Sequence, residues 1–197
     1  MRPHCLLWLR AALGLAAGLC ASLPVVCQPP AAPTTAGAPP AAAARGGAHD
    51  FDFDIGKWRT HSSRLLHPLT TWTEMDGVTV VRKIWDGRAN LAEYQADGPA
   101  GRVELLSLRW YNPSARQWNL DFATPSVGTL GIPNVGEFKN GRGDFYDQEL
   151  INGRAVLVRF SIWEVDHDTA RSEQAFSADG GETWETNWIT TYRRIGD

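Results

Sequence analysis

The chain has 197 residues, but the first 48 contain no Asp or Glu, so all 22 acids fall within residues 49–197, a length that suits one domain with one core. Without Arg2 and Arg10 of the leader, 17 Lys and Arg face those 22 acids for a net charge of −5, which argues against nucleic acid or an anionic membrane as partner. A hydrophobic content of 43% excludes a disordered chain, and no apolar run beyond the leader is long enough to span a bilayer as a helix.

Residues 1–22 read as a signal peptide. Two arginines precede the apolar stretch Ala11–Leu19, and Cys20 and Ser22 stand at −3 and −1 of a cut after Ser22. The expected location is therefore outside the cytoplasm, periplasmic or secreted, with no membrane span left after cleavage. Cys5, Cys20 and Cys27 all fall in or beside this leader, so the mature domain is expected to lack disulfides, thiolate nucleophiles and cysteine metal sites. Residues 23–48 form a linker. From Gln28 to Ala48 it holds five prolines and nine alanines, too little apolar surface to offset the entropy of ordering it.

From His49 onward the pattern is all β. Phe51, Phe53 and Ile55 alternate with Asp50, Asp52 and Asp54, which predicts a strand with one dry face. Turn signals then recur about every ten residues, at Asp76-Gly77, Asp86-Gly87, Asp97-Gly98, Asn140-Gly141, Asn152-Gly153 and Asp179-Gly180-Gly181. Between them lie runs rich in β-branched and aromatic residues, including Val78–Trp85, Arg88–Gln95, Val103–Tyr111, Ala155–Val165 and Thr183–Arg193. Connections this short predict a single antiparallel up-and-down meander of eight to ten strands over residues 49–197. Closing it into a barrel removes its edges.

Several motifs reduce to turns. Ser177-Ala178-Asp179-Gly180-Gly181-Glu182-Thr183-Trp184 fits the Asp-box pattern of sialidase propellers but occurs once, where a propeller needs repeated blades. In the calcium-loop reading of Asp50, Asp52 and Asp54, Ile55 stands where the glycine belongs and His61 where the bidentate Glu belongs. Arg142-Gly143-Asp144 follows the Asn140-Gly141 turn directly. His167 lies between Asp166 and Asp168 in a hairpin tip. No nucleophile elbow, zinc-protease helix or phosphate loop appears, so no metal or cofactor is expected.

Phe53-Asp54-Ile55-Gly56-Lys57-Trp58 resembles the Gly-x-Trp opening of the calycin barrels, the superfamily of lipocalins and fatty-acid-binding proteins. Tyr111-Asn112-Pro113 with Trp118, the Asp179–Trp184 hairpin and the terminal Tyr192-Arg193-Arg194 are similar to uncharacterised bacterial exported proteins with calycin-like domains. The resemblance implies a barrel with a cavity and no established activity. It also implies a seam in which Trp58 packs under Arg193 or Arg194.

Strand register proposes a ligand site. A turn centred on Gly180-Gly181 sets Glu173 opposite Trp188, and one centred on His167 sets Ser161 opposite Glu173 and Trp163 opposite Arg171. One face then carries Arg159, Ser161, Trp163, Arg171, Glu173, Trp184, Trp188 and Tyr192, and the other Val156, Val158, Phe160, Ile162, Gln174, Phe176 and Ile189. With the aromatic face inward, Arg159, Ser161, Trp163, Glu173 and Trp188 would line a cavity for a small apolar or amphiphilic molecule. Arg159 would meet an anionic group and Glu173 would hold Arg159 in place. With the Val/Phe/Ile face inward, those five residues are exterior. Two other functions stay open: an enzyme using Glu137, Asp147, Glu149 or Glu173, and an interaction domain that forms a homodimer through its second apolar face.

Overall fold

A computed structural model describes residues 47–65 and 71–197. The expected signal peptide and nearly all of the linker lie outside the described residues. Ten antiparallel strands form a closed barrel in which each strand pairs with its chain neighbours and the last returns to the first. They are β1 (Gly56–Leu65), β2 (Trp72–Ile84), β3 (Ala89–Gly98), β4 (Gly101–Asn112), β5 (Gln117–Ala123), β6 (Asn134–Lys139), β7 (Arg142–Ile151), β8 (Arg154–Asp166), β9 (Thr169–Ser177) and β10 (Glu185–Gly196). The all-β meander predicted from turn spacing is thus the observed architecture. Asn140-Gly141 and Asn152-Gly153 make two of its tight turns with φ near +53° at each Asn and +80° and +76° at the glycines, the left-handed pair that two-residue hairpins require.

Asp76-Gly77 is not a turn. Gly77 lies inside β2 opposite Ala96, and a Cβ there would collide with the carbonyl oxygen of Gln95. The glycine is needed for close backbone approach in a tightly coiled sheet, not for a reversal.

Residues 50–55 are not a strand either. Two 3-10 turns, Gly47–His49 and Asp52–Asp54, cross one end of the barrel and close it. Phe51 goes into the core, but so does Asp54, which is 1% exposed. Apolar alternation alone cannot separate this plug from a strand, because the buried aspartate breaks the rule that polar residues face water. Phe51 meets Trp118 and Phe138 edge-on, at 4.8 and 4.9 Å between ring centroids, and the core continues through Leu120, Phe145 and Ile162.

Hydrogen bonds tie the plug to the barrel. The Trp58 indole donates to the Asp54 carbonyl at 2.9 Å and the Trp118 indole to the Gly47 carbonyl at 2.8 Å. Arg194 donates to the carbonyls of Phe53 and Ile55, both at 2.7 Å, while its guanidinium carbon lies 4.1 Å from the centroid of the Trp58 ring. Arg193 pairs with Arg59 in register and is exposed, so Arg194 alone covers the tryptophan. A cation–π contact of this kind contributes about 0.5–2 kcal/mol.

Candidate functional site: the barrel lumen

Opposite the plugged end, the barrel opens into a cavity of about 330 Å³. Its walls are inward-facing positions of all ten strands. β4 supplies Val103, Leu105, Ser107 and Arg109, β8 supplies Val158 and Phe160, and β9 supplies Ser172, Gln174 and Phe176. Phe122 of β5 and Ala92 and Tyr94 of β3 add further apolar surface. The floor is polar. Arg109 is 4% exposed and donates to Asp54 of the plug at 2.5 Å and to Ser107 at 3.2 Å. Burial pushes the Tyr192 phenol up to about 12, and its hydroxyl shares a 3.0 Å hydrogen bond with Ser172. Tyr94 donates to Ser62, which is bonded in turn to Thr190.

The mouth is built by Arg64 at the end of β1, Trp188 of β10, Asp147 and Glu149 of β7, and Ile132 of the loop after β5. The Arg64 guanidinium lies 4.3 Å from the centroid of the Trp188 ring. Across the opening, Asn134 donates to one Asp147 oxygen at 2.5 Å. Three polar atoms of the lining are buried without a partner among the described residues: Thr79 Oγ1, Asp147 Oδ1 and Trp188 Nε1.

Burial, reinforced by the charge of Glu149, pushes the Asp147 carboxyl from its ordinary 3.8 up to about 6. Between those values the folded chain holds a proton that the unfolded chain has lost. The group therefore favours folding below about pH 4 and loses that contribution as pH rises through about 6. Asp147→Asn keeps an oxygen for Asn134 and removes the charge. It should melt above the wild type at pH 7 and level with it at pH 4, followed by circular dichroism. Equal melting at both pH values would reject the perturbed carboxyl.

Of the five residues proposed as ligand contacts, only Trp188 lines the lumen. Arg159, Ser161, Trp163 and Glu173 point away from the lumen on β8 and β9, Ser161 being buried beneath its outer neighbours, and the Val158/Phe160/Phe176 face is the inner one. The β8–β9 register is as predicted, with Ser161 opposite Glu173 and Trp163 opposite Arg171. The β9–β10 register is not. Asn187 is an extra residue between the pairs Thr186–Ala175 and Trp188–Gln174, so Trp188 faces inward beside Gln174 while Glu173 lies opposite Ile189. One bulge inverts every later side chain of the strand.

The outer residues satisfy one another. Guanidinium carbons of Arg142 and Arg171 lie 4.3 and 5.9 Å from the Trp163 ring centroid, and that of Arg159 lies 4.5 Å from Trp184. Glu173 accepts from Arg171 at 3.0 and 3.2 Å rather than pairing with Arg159, and Ser161 donates to Asp144. Guanidiniums stacked outside on indoles keep part of their hydration, which a lumen of Val and Phe side chains would remove.

The Asp179 hairpin is a structural cap. Asp179 accepts from the Thr183 amide and hydroxyl and from Ser177, which hold its carboxyl well below the ordinary range, and the Trp184 indole donates to the Gly181 carbonyl at 3.1 Å. Among the carboxylates singled out for catalysis, Asp147 and Glu149 border the cavity, while Glu137 is exposed and paired with Lys139. Arg64, Tyr94 and Arg109 escaped the sequence reading. On β4 the outward positions Leu106, Leu108 and Trp110 are as apolar as the inward ones, so alternation gives no sign that Arg109 points in.

No protein-family model matches the chain, and no curated protein matches it. Among solved structures it is similar to Rv2717c from M. tuberculosis, at 15% identity over 75% of this chain and 97% of that one, with a TM-score of 0.51. It is also similar to a redesigned β-barrel, mFAP1, solved bound to DFHBI, at 9% identity over 76% of this chain and 99% of that one, with a TM-score of 0.42. At such identities the likeness to Rv2717c is one of fold: the chain is a β-barrel of the same general kind.

Proposed function

We propose that the barrel is a binding module that holds a small apolar or amphiphilic molecule in its lumen. The observation that carries this reading is an open cavity of about 330 Å³ in which Thr79 Oγ1, Asp147 Oδ1 and Trp188 Nε1 are buried without a partner among the described residues. Leaving a buried polar atom unmet costs about 1–3 kcal/mol, which a guest's polar group within hydrogen-bond reach would recover. A mostly apolar cavity with a few polar groups is the usual form of a small-molecule site. Val127, Leu130, Ile132 and Leu150 are all more than half exposed at the open end, giving an apolar guest a partly dry approach.

The domain is, in the same reading, a calycin-like barrel exported to the periplasm or beyond. The arginine-flanked apolar leader, with small residues before a cut near Ser22, supports export, and the Gly56-Lys57-Trp58 opening supports the calycin likeness. One experiment addresses both parts. The full chain is expressed in exporting cells, purified, and weighed by native mass spectrometry.

The expected species lacks its leader, having been cut before residue 30, and carries a small molecule that leaves on collisional activation. Leu105→Trp, which fills the lumen, should come through export equally well without that molecule. Mature protein with Met1 intact would reject export. A wild type that carries nothing, or an adduct that survives the filled lumen, would reject the binding site. The same spectrum separates a monomer from a homodimer.

A further inference from the structure

We propose that the lumen selects a compact amphoteric molecule, anionic at one end, donor-bearing or cationic at the other, and apolar between. This rests on the binding reading above and adds the ligand's polarity.

The anion pole is at Arg64 and Trp188. Among the described residues Arg64 makes no ion pair. Its guanidinium lies over the Trp188 ring at 4.3 Å, and the Trp188 indole N–H is itself buried without an acceptor. Two neighbouring donors without a carboxylate are what an incoming carboxylate would satisfy, and the guanidinium fork can meet it with two parallel hydrogen bonds.

The opposite pole is on β7. Asp147 has one oxygen bonded to Asn134 and the other buried and unmet, and Glu149 is the next inward residue. Two carboxylates that no cation among the described residues pairs with call for a hydrogen-bond donor or an ammonium group. Around the barrel β10, β9 and β8 separate β1 from β7 on one side, so the two poles face each other across the lumen. Arg64 does not neutralise Asp147 directly, and the wall between them presents Val158, Phe160 and Phe176 to the lumen, with Gln174 as a polar group among them. Each pole is a half-satisfied polar site that a bridging guest would complete. A volume of about 330 Å³ lies at the lower end of the usual range for ligand pockets, which favours a short molecule over a long lipid.

The test uses the purified exported protein and calorimetric titration with aminohexanoate, aminooctanoate and aminododecanoate, and with the alkanoate, alkylamine and alkanol of each length. At least one amino acid of the series should bind about tenfold or more tightly than its matched alkanoate and alkylamine. Arg64→Gln should weaken that amino acid and its alkanoate by about tenfold and leave the alkylamine unchanged. Asp147→Asn should weaken the amino acid and the alkylamine and leave the alkanoate unchanged. Tenfold is the scale expected for one charge-assisted contact.

Melting curves of both variants check folding, and Arg64→Lys, which keeps the charge without the fork, should fall between wild type and Arg64→Gln. The inference is overturned if no amino acid outbinds its single-ended analogues, or if either substitution weakens all probes alike. Binding of the alkanol alone would overturn it and leave the cavity reading standing. Failure of every probe, alkanol included, would overturn both.

Discussion

Asp54→Ala is expected to lower the stability of the barrel by about 3–5 kcal/mol, measured by urea denaturation. Asp54 is 1% exposed, Arg109 is 4% exposed, and the two make a 2.5 Å ion pair at the junction of plug and lumen. Burial pushes the Asp54 carboxyl up while the Arg109 guanidinium pulls it down. Removing the carboxylate strands a cation whose remaining contacts, among the described residues, are Ser107 and the face of Phe51, the latter at 4.8 Å. Replacing both partners together, Asp54→Leu with Arg109→Met, should recover most of the loss, because the penalty lies in the uncompensated charge. A loss below about 1 kcal/mol, the worth of an exposed pair, would mean that Arg109 finds other solvation through the lumen.

Trp118→Ala should cost a similar amount, about 3–5 kcal/mol. Its side chain is fully buried, packs edge-on against Phe51 and at a tilt against Tyr111 with centroids 5.5 Å apart, and donates to the Gly47 carbonyl. Trp118→Phe keeps much of the packing and loses the N–H, so it should cost less and report the hydrogen bond at about 1 kcal/mol. Limited proteolysis supplies a second readout, since the alanine variant should expose residues 47–55 before the strands. Phe51 touches both Trp118 and Arg109, so the losses from Asp54→Ala and Trp118→Ala should sum to more than the double substitution costs. Strict additivity would contradict a shared plug.

The barrel was legible in the sequence because its turns are local. Asn140-Gly141, Asn152-Gly153 and the Asp179 hairpin each carry their chemistry within a few residues. What failed needed information from elsewhere in the chain. Gly77 reads as a turn glycine beside Asp76, and only the approach of β3 explains it. The face assignment of β8 and β9 required knowing which of two nearly equally apolar surfaces would surround the lumen. The strand pattern places Arg159 and Trp163 correctly on one face, but the stacking that lets that face stay outside comes from Arg142 on β7 and from Trp184 in the hairpin. Trp188 was assigned to the site through a register that the bulge at Asn187 breaks. Asp147 and Glu149 were recognisable as inward candidates only among other carboxylates. Arg64 gave no signal, since a lone arginine at a strand end is ordinary sequence.

The seam between β1 and β10 also bears on the order of folding. Lys57 pairs with Gly196, so the contacts that close the ring join the two ends of the described chain. A ribosome delivers β1 early and β10 last. Until β10 arrives, the growing sheet keeps two open edges, one on β1 and one on β9, each able to pair with another molecule. Contacts of such long sequence separation also form slowly, so ring closure should dominate the refolding time. Gly56 lies against Asp197, but the plug begins at Gly47 beside Trp118, so a circular permutant needs a flexible linker that runs from Asp197 across the plugged end to Gly47, with the chain opened at Asn152-Gly153. That change makes the seam local and should speed refolding in stopped-flow fluorescence, whereas an unchanged rate would place the slow step elsewhere in the barrel.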